Sequence, residues 1–248
     1  MPALALAPAP VPRINPRSEI ELPSVSFFGR SLAEYAQCFA LDVAALKGRD
    51  VLDVAAGASS FTAEACARKI NAVAVDPIYG APAVELVARV DEDFTRSSAA
   101  PGEKPRSFRP RNSAAHAAAE LERRAAALRF LADYETHLHY GRYVCGALPR
   151  LPFFDGTFDV VLCAHRLFGA ANPFDFEWHL AACRELARVS AEDTRIFPLC
   201  DASGRQHPAL PRLRRELREA GIASEVRAVD YGFFAGANSM LVLRRAAP

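Results

Sequence analysis

Two acidic residues carry the first chemical signal. Asp53 closes the apolar run VLD, and small residues follow it at alternate positions, Ala55, Gly57 and Ser59. A loop of that kind lets a ligand lie against the backbone and meet the N–H groups of the next helix. A carboxylate ending the strand suits a cationic ligand group better than a pyrophosphate, and the G-x-G-x-x-G pattern of dinucleotide sites is missing. Asp76 closes a second run, AVAVD, roughly 20 residues further on, the spacing at which a carboxylate accepts hydrogen bonds from both hydroxyls of a ribose. Each feature also has a plainer reading: a strand-to-helix turn for the first, an Asp-Pro turn with Pro77 for the second. Their combination is the more specific signal.

Other residues stand where chemistry is done. His165 and Arg166 follow the apolar run VVLCA, at the strand end that opens into a ligand crevice. His165 is therefore the candidate general base, the alternative being a polar cap on the strand. Asp133 and Tyr134, with His137, His139 and Tyr140, form a polar cluster that reads either as a lid or as a solvated helix end. His137 and His139 have no obvious third ligand, so no metal site is expected. Asp201 lies just past a strand in CDASG, and Tyr231, Phe233, Phe234 and Asn238 lie in a glycine-containing connection; these are candidates for the substrate side. Trp178 and His179 sit on a helical stretch and read as packing.

The elements that must position these residues follow from periodicity. SLAEYAQCFALDVAAL places Leu32, Tyr35, Phe39, Val43 and Leu46 on one helical face over 31–46, with Ser31 as N-cap. Buried strands are expected at 51–55, 72–75, 142–145, 158–164, 194–199, 223–229 and 239–243. Helices are expected at 61–69, 114–137, 177–189 and 209–220. Residues 91–113, rich in Pro, Ser and charge, read as a mobile loop, part of a loop and long-helix insertion at about 91–140. Residues 1–27 read as a loose Pro/Ala-rich tail ahead of one domain, 28–248. Strand alternating with helix builds a mostly parallel, doubly wound sheet. The last two strands are joined without a helix, which suits an antiparallel hairpin.

The totals narrow the partners. The chain has 248 residues, 51% of them hydrophobic, with 30 Lys and Arg against 29 Asp and Glu. That balance provides no broad basic surface for nucleic acid or an anionic membrane, so a small-molecule substrate is expected. The six cysteines form no C-x-x-C pair and read as reduced thiols of a cytoplasmic protein. No apolar run has the length of a membrane span, and the prolines and missing basic region of MPALALAPAPVP argue against a signal peptide.

Taken together, these features resemble a class I S-adenosylmethionine-dependent methyltransferase. LPRLPFFDGTFDVVLCAHRLF at 148–168 resembles the family's Leu-Pro-Phe stretch, acidic turn and fourth strand. RELARV followed by TRIFPL resembles the helix and fifth strand, and the likeness runs over about 50–244. The resemblance implies a Rossmann-like seven-stranded sheet and S-adenosylmethionine as cofactor. It places Asp53 and the Ala55–Ser59 loop beside the methionine part, and Asp76 on the ribose. Pro77 and Ile78 would flank the adenine, with Ala147 and Leu148 on its other side. His165 and Arg166 would face the methyl donor and the substrate. The chain departs from the family pattern in having Ala55 and Ser59 where glycine is usual, and Gly146 near a position that is often acidic. Methyl transfer to a small-molecule O, N or C nucleophile is the activity implied. A catalytically silent module that keeps cofactor binding is the alternative, and a nicotinamide-dependent dehydrogenase ranks below both.

Overall fold

In a computed structural model of the protein, residues 29–99, 113–168, 174–201, 204–231 and 236–245 are described. The strands are β1 (Asp50–Val54), β2 (Asn71–Asp76), β3 (Tyr143–Cys145), β4 (Phe158–Ala164), β5 (Ser190–Phe197), β6 (Ile222–Ala228) and β7 (Ser239–Arg245). The helices are α1 (Leu32–Phe39), α2 (Phe61–Ala67), α3 (Ala83–Ala99), α4 (Ser113–His137), α5 (Phe176–Val189) and α6 (Leu210–Glu219). The strands form one sheet in the order β3-β2-β1-β4-β5-β7-β6. β1 pairs in parallel with β2 and β4, β2 with β3, and β4 with β5, while β7 runs antiparallel between β5 and β6. This is the Rossmann-like, mostly parallel sheet ending in an antiparallel hairpin that the sequence implies.

Both faces of the sheet are covered, and the strand residues alternate accordingly. Val161 and Cys163 of β4 pack with Leu180 and Leu186 of α5 and Leu213 and Leu217 of α6. Val160, Leu162 and Ala164 point the other way, to Leu32 and Phe39 of α1 and Phe61 of α2. A third cluster joins α3 and α4 to the β2–β3 edge through Tyr79, Phe130, Tyr134 and Tyr143. Each fully buried Leu or Phe contributes about 1.5–3 kcal/mol, so these contacts fix where the strand ends lie. Strand order reverses between β1 and β4, and a crevice opens at such a point beyond the carboxyl ends of the strands.

Three expectations need correction. Helix α1 stops at Phe39 rather than running to 46. Ala40 adopts a left-handed conformation with φ 47°, its N–H returning to Ala36, and the Asp42 carboxylate accepts from the N–H groups of Ala44 and Ala45 to start a separate turn. The segment expected to be a loop from 91 onward is helical as far as Ala99. Leu86, Val90 and Phe94 recur at helical spacing and bury against α4, and that stripe outweighs the charged composition. Residues 100–112 lie outside the described residues. β5 also begins at Ser190, four residues before the expected start, through an irregular register in which Phe158 pairs Ser190 and Val160 pairs Asp193.

Candidate functional site

β1 and β2 run side by side, so Asp53 and Asp76 arrive at adjacent strand ends. Asp53 is fully buried. Its Oδ1 accepts from the Tyr35 hydroxyl at 2.9 Å. Oδ2 has no hydrogen-bond partner among the described residues; the Ser59 hydroxyl close by donates to the Arg30 carbonyl instead. Burial, with a smaller contribution from Asp76, lifts the Asp53 carboxyl to about 8 despite the Tyr35 hydroxyl and Arg30. A buried carboxyl that is uncharged at neutral pH, with one oxygen lacking a partner, is a costly arrangement that a cation taking the proton's place would relieve.

Asp76 is also buried but differently served. Gly57 N–H donates to its Oδ2 at 3.0 Å and Ile78 N–H to its Oδ1 at 3.1 Å. Burial raises it to about 6, and these two N–H groups, Arg166 and Arg89 pull in the opposite direction. Each oxygen keeps a second lone pair, so the carboxylate is oriented by the loop and still able to accept from a diol. The β1–α2 loop is held in turn by Tyr79, whose hydroxyl donates to the Gly57 carbonyl at 2.7 Å.

The departures from the family pattern have local causes. Ala55 takes a left-handed conformation, φ 56°, and Gly57 does the same at φ 57°. Ala55 N–H bonds to the Val75 carbonyl at 2.8 Å, so the turn keeps its form although alanine is strained there. The Ser59 hydroxyl accepts from Phe61 N–H and donates to the Arg30 carbonyl, tying the chain ahead of α1 to the loop. At Gly146 a Cβ would lie 2.8 Å from Val75 Cγ2 and 2.9 Å from Pro152 Cδ. A side chain at Gly146 would therefore be crowded by Val75 and Pro152.

Other predicted residues separate into two groups. His165 follows β4 with φ 56°, its N–H donating to the Phe197 carbonyl and its ring edge-on to Phe197. Burial, then Arg30 and Arg123, hold its pKa well below the usual histidine value, so the imidazole is neutral. Arg166 stacks on Phe174 and is felt by Asp76. Tyr231 donates to Glu34 at 2.8 Å and packs on Phe197, which brings it to the His165 side. Pro77 and Ile78 form the turn after β2, and Ala147 and Leu148 follow β3 beside it, with Gly146 N–H bonded to the Asp76 carbonyl.

Asp133 and Tyr134 are committed elsewhere. Asp133 takes Arg142 at 2.6 Å and the Tyr143 hydroxyl at 2.7 Å, fastening the end of α4 to β3. Tyr134 is buried, donates to the Ala81 carbonyl and accepts from Gly80 N–H. His137 bonds back to Asp133, and Tyr140 is exposed. Asp201 accepts from Arg205, within its own turn. Asn238 serves the β6–β7 connection through its carbonyl, and Phe233 and Phe234 lie outside the described residues. His179 is packed, as expected, with its ring nitrogens 2.6 and 2.8 Å from the Asp175 and Leu167 carbonyls.

Sequence reasoning missed a cluster on the α1 side. Glu34 Oε1 meets Arg123 Nη2 at 2.9 Å and Arg30 Nε at 3.9 Å. The possible ligand atoms of Glu34, Cys38 and His165 lie within 4.8 Å of one another. Sequence reading also missed the clamp on the Leu-Pro-Phe stretch. Glu185 accepts from Leu151 N–H, and Arg188 donates to the Phe153 carbonyl, so two residues of RELARV fix that loop.

No family model matches the chain. An uncharacterised protein of Methanocaldococcus jannaschii, MJ0045, is 28% identical over 228 residues, covering 91% of this chain and 99% of the relative. Among solved structures, the magnesium protoporphyrin IX methyltransferase of Synechocystis PCC 6803 with bound SAM is similar at 15% identity and a TM-score of 0.47, over 86% of this chain and 81% of that one. The 1,6-didemethyltoxoflavin-N1-methyltransferase of Burkholderia thailandensis, with bound 1,6-didemethyltoxoflavin and S-adenosylhomocysteine, is similar at 16% identity and a TM-score of 0.42, over 83% of this chain and 76% of that one.

Proposed function

We propose that the protein binds S-adenosylmethionine across the ends of β1 and β2 and transfers its methyl group to a small-molecule nucleophile. One observation carries the reading: Asp53 and Asp76 stand buried at adjacent strand ends, one with an unanswered oxygen and the other with both oxygens oriented by loop N–H groups. A cationic amino acid moiety suits the first, and a ribose diol suits the second. When bound, the cofactor supplies a sulfonium, an electrophile that needs an in-line nucleophile in a dry site.

The chain's own residues would then do three things. Asp53, once charged, balances the positive end of the cofactor. Asp76 fixes the ribose, and the turn at Pro77–Ile78 with Ala147 and Leu148 borders the base. His165, neutral and half-buried beyond β4, would accept a proton from an acceptor that arrives protonated. Its depressed basicity makes it a weak base, so positioning by Tyr231 and Arg166 carries more of the work. The near balance of charges supports a small molecule over nucleic acid, and no described helix is long and apolar enough to cross a membrane.

Calorimetric titration with S-adenosylmethionine and S-adenosylhomocysteine tests the reading. Micromolar binding is expected, with a loss of about tenfold or more in Asp76→Ala, which removes a charge-assisted acceptor. Absence of binding by folded wild-type protein would sink it. Binding without turnover on a broad panel of acceptors would favour the silent module.

A further inference from the structure

Gly57 is held from two sides. Its N–H donates to Asp76 Oδ2 at 3.0 Å, and its carbonyl accepts from the Tyr79 hydroxyl at 2.7 Å. Tyr79 is joined to Asp76 directly as well, its own N–H donating to the Asp76 carbonyl at 3.2 Å. The three residues therefore close a ring. In that ring the orientation of the Asp76 carboxylate depends on the place of Gly57, and the place of Gly57 on a phenol hydroxyl. A glycine at φ 57° has no side chain to fix its peptide planes, so the bonds at its N–H and C=O do so.

A hydroxyl can fix a loop only if the ring behind it is immobile. Tyr79 is 1% exposed and lies among Phe130 and Tyr134 of α4 and Tyr143 of β3, with ring centroids 5.9, 5.6 and 5.4 Å away. Tyr134 pins the chain just beyond it, accepting from Gly80 N–H at 2.8 Å and donating to the Ala81 carbonyl at 3.0 Å. Asp133, the preceding residue of α4, accepts from the Tyr143 hydroxyl at 2.7 Å, so the ring that meets Tyr79 edge-on is fixed too. The plainer account is that Tyr79 is core and its hydroxyl takes whatever acceptor is near, as buried phenols do. The acceptor decides between the two accounts: it belongs to the residue whose N–H orients Asp76.

We propose that Tyr79 is a positioning residue for the cofactor's ribose: its hydroxyl, held by the aromatic cluster of α4 and β3, fixes Gly57 and through it aims the Asp76 carboxylate. The inference rests on the methyltransferase reading for the identity of the ligand. Asp133 and Tyr134 then act on the cofactor site at one remove, by holding the ring and the turn of Tyr79.

The test uses Tyr79→Phe, which keeps the ring and removes the donor, alone and combined with Asp76→Ala. Each protein is titrated with S-adenosylhomocysteine and with the analogue of it that lacks both ribose hydroxyls. Amide hydrogen exchange of the free proteins is measured alongside. Tyr79→Phe is expected to weaken S-adenosylhomocysteine about fivefold, to leave the analogue unchanged, and to add no further loss once Asp76 is alanine. In the free protein the Gly57 amide should exchange several-fold faster, while the Leu52 and Val73 amides of β1 and β2 stay as in wild type. Should Tyr79→Phe not fold, Tyr134→Phe reads the same contacts through Gly80 and Ala81, with the same selectivity for the ligand that carries the diol. Unchanged Gly57 exchange in a folded variant, unaltered affinity, or a loss shared equally by both ligands would each overturn the proposal. If wild-type protein binds neither ligand while Gly57 exchange still responds to Tyr79→Phe, the cofactor reading falls and the hold of Tyr79 on Gly57 and Asp76 stands.

Discussion

The two halves of the crevice handle buried charge in opposite ways. On the β1–β2 side the charged groups are carboxyls, and burial pushes both upward, Asp53 to about 8 and Asp76 to about 6. At neutral pH Asp53 keeps its proton, whereas Asp76 is mainly ionised. On the α1–α4 side the Glu34 carboxylate meets Arg123 at 2.9 Å and Arg30 at 3.9 Å, and the guanidinium groups hold that carboxyl charged, so this side keeps its charges at working pH. The charge of the first half therefore changes between acid and alkaline pH, and that of the second does not. The halves meet at Arg30, whose side chain is felt by both Asp53 and His165 and whose carbonyl accepts from the Ser59 and Ser60 hydroxyls.

The contrast breaks most severely if that meeting point is moved. A Cβ at Gly29 would stand 2.3 Å from Ala127 N and from the Arg123 carbonyl, against the backbone of α4. Gly29→Ala is expected to push the segment off α4, to cost about 1–3 kcal/mol in denaturant unfolding and to separate Arg30 from Arg123. Stability unchanged by this substitution would mean the segment does not dock on α4 as described.

An effect of opposite sign is expected at Asp53. In the folded state its carboxyl keeps a proton up to about 8, whereas in the unfolded chain it loses that proton near 4. Asp53 therefore draws stability down as pH climbs through this window, and Asp76 does the same up to about 6. Asp53→Asn should stabilise the free protein at pH 7–8 by on the order of 2 kcal/mol while weakening cofactor binding. Wild-type affinity for the cationic cofactor should rise with pH, roughly tenfold per unit below about 8, and level off above it, because binding must first release the Asp53 proton. A flat profile in calorimetry would assign the cation to some other group.

The same contrast explains what the sequence could disclose. Asp53 and Asp76 end short apolar runs, so their place at neighbouring strand ends follows from the local pattern and the parallel order. Seven strands and most helices were legible for the same reason. Arg30, Glu34, Arg123 and Tyr231 come from a segment, two helices and a strand end that no local pattern connects; only the packing of α1 and α4 brings them together. Asp133 and Tyr134 looked like site residues because polar groups at a helix end are ambiguous until their partners, Arg142, Tyr143 and Gly80, are known. Helix α3 was hidden because its apolar stripe, Leu86, Val90 and Phe94, is diluted by charge.

The gentlest probe of the acidic half is the strained alanine of its loop. A left-handed conformation costs a non-glycine residue about 1–2 kcal/mol, and Ala55 bears that strain with φ 56°. Glycine removes it but adds freedom to the unfolded chain worth about 0.4–1 kcal/mol. The two effects nearly cancel, so Ala55→Gly should change stability by less than about 1 kcal/mol. Its second effect does not cancel: the Cβ is removed from a loop whose backbone must come close to a ligand. Affinity for S-adenosylhomocysteine should therefore stay level or improve. A gain in stability well above 1 kcal/mol would mean that the alanine is kept for a functional reason strong enough to outweigh its strain. A loss would mean that its methyl group packs against the fold, and the β1–α2 loop would then be shaped by its own core rather than by what it binds.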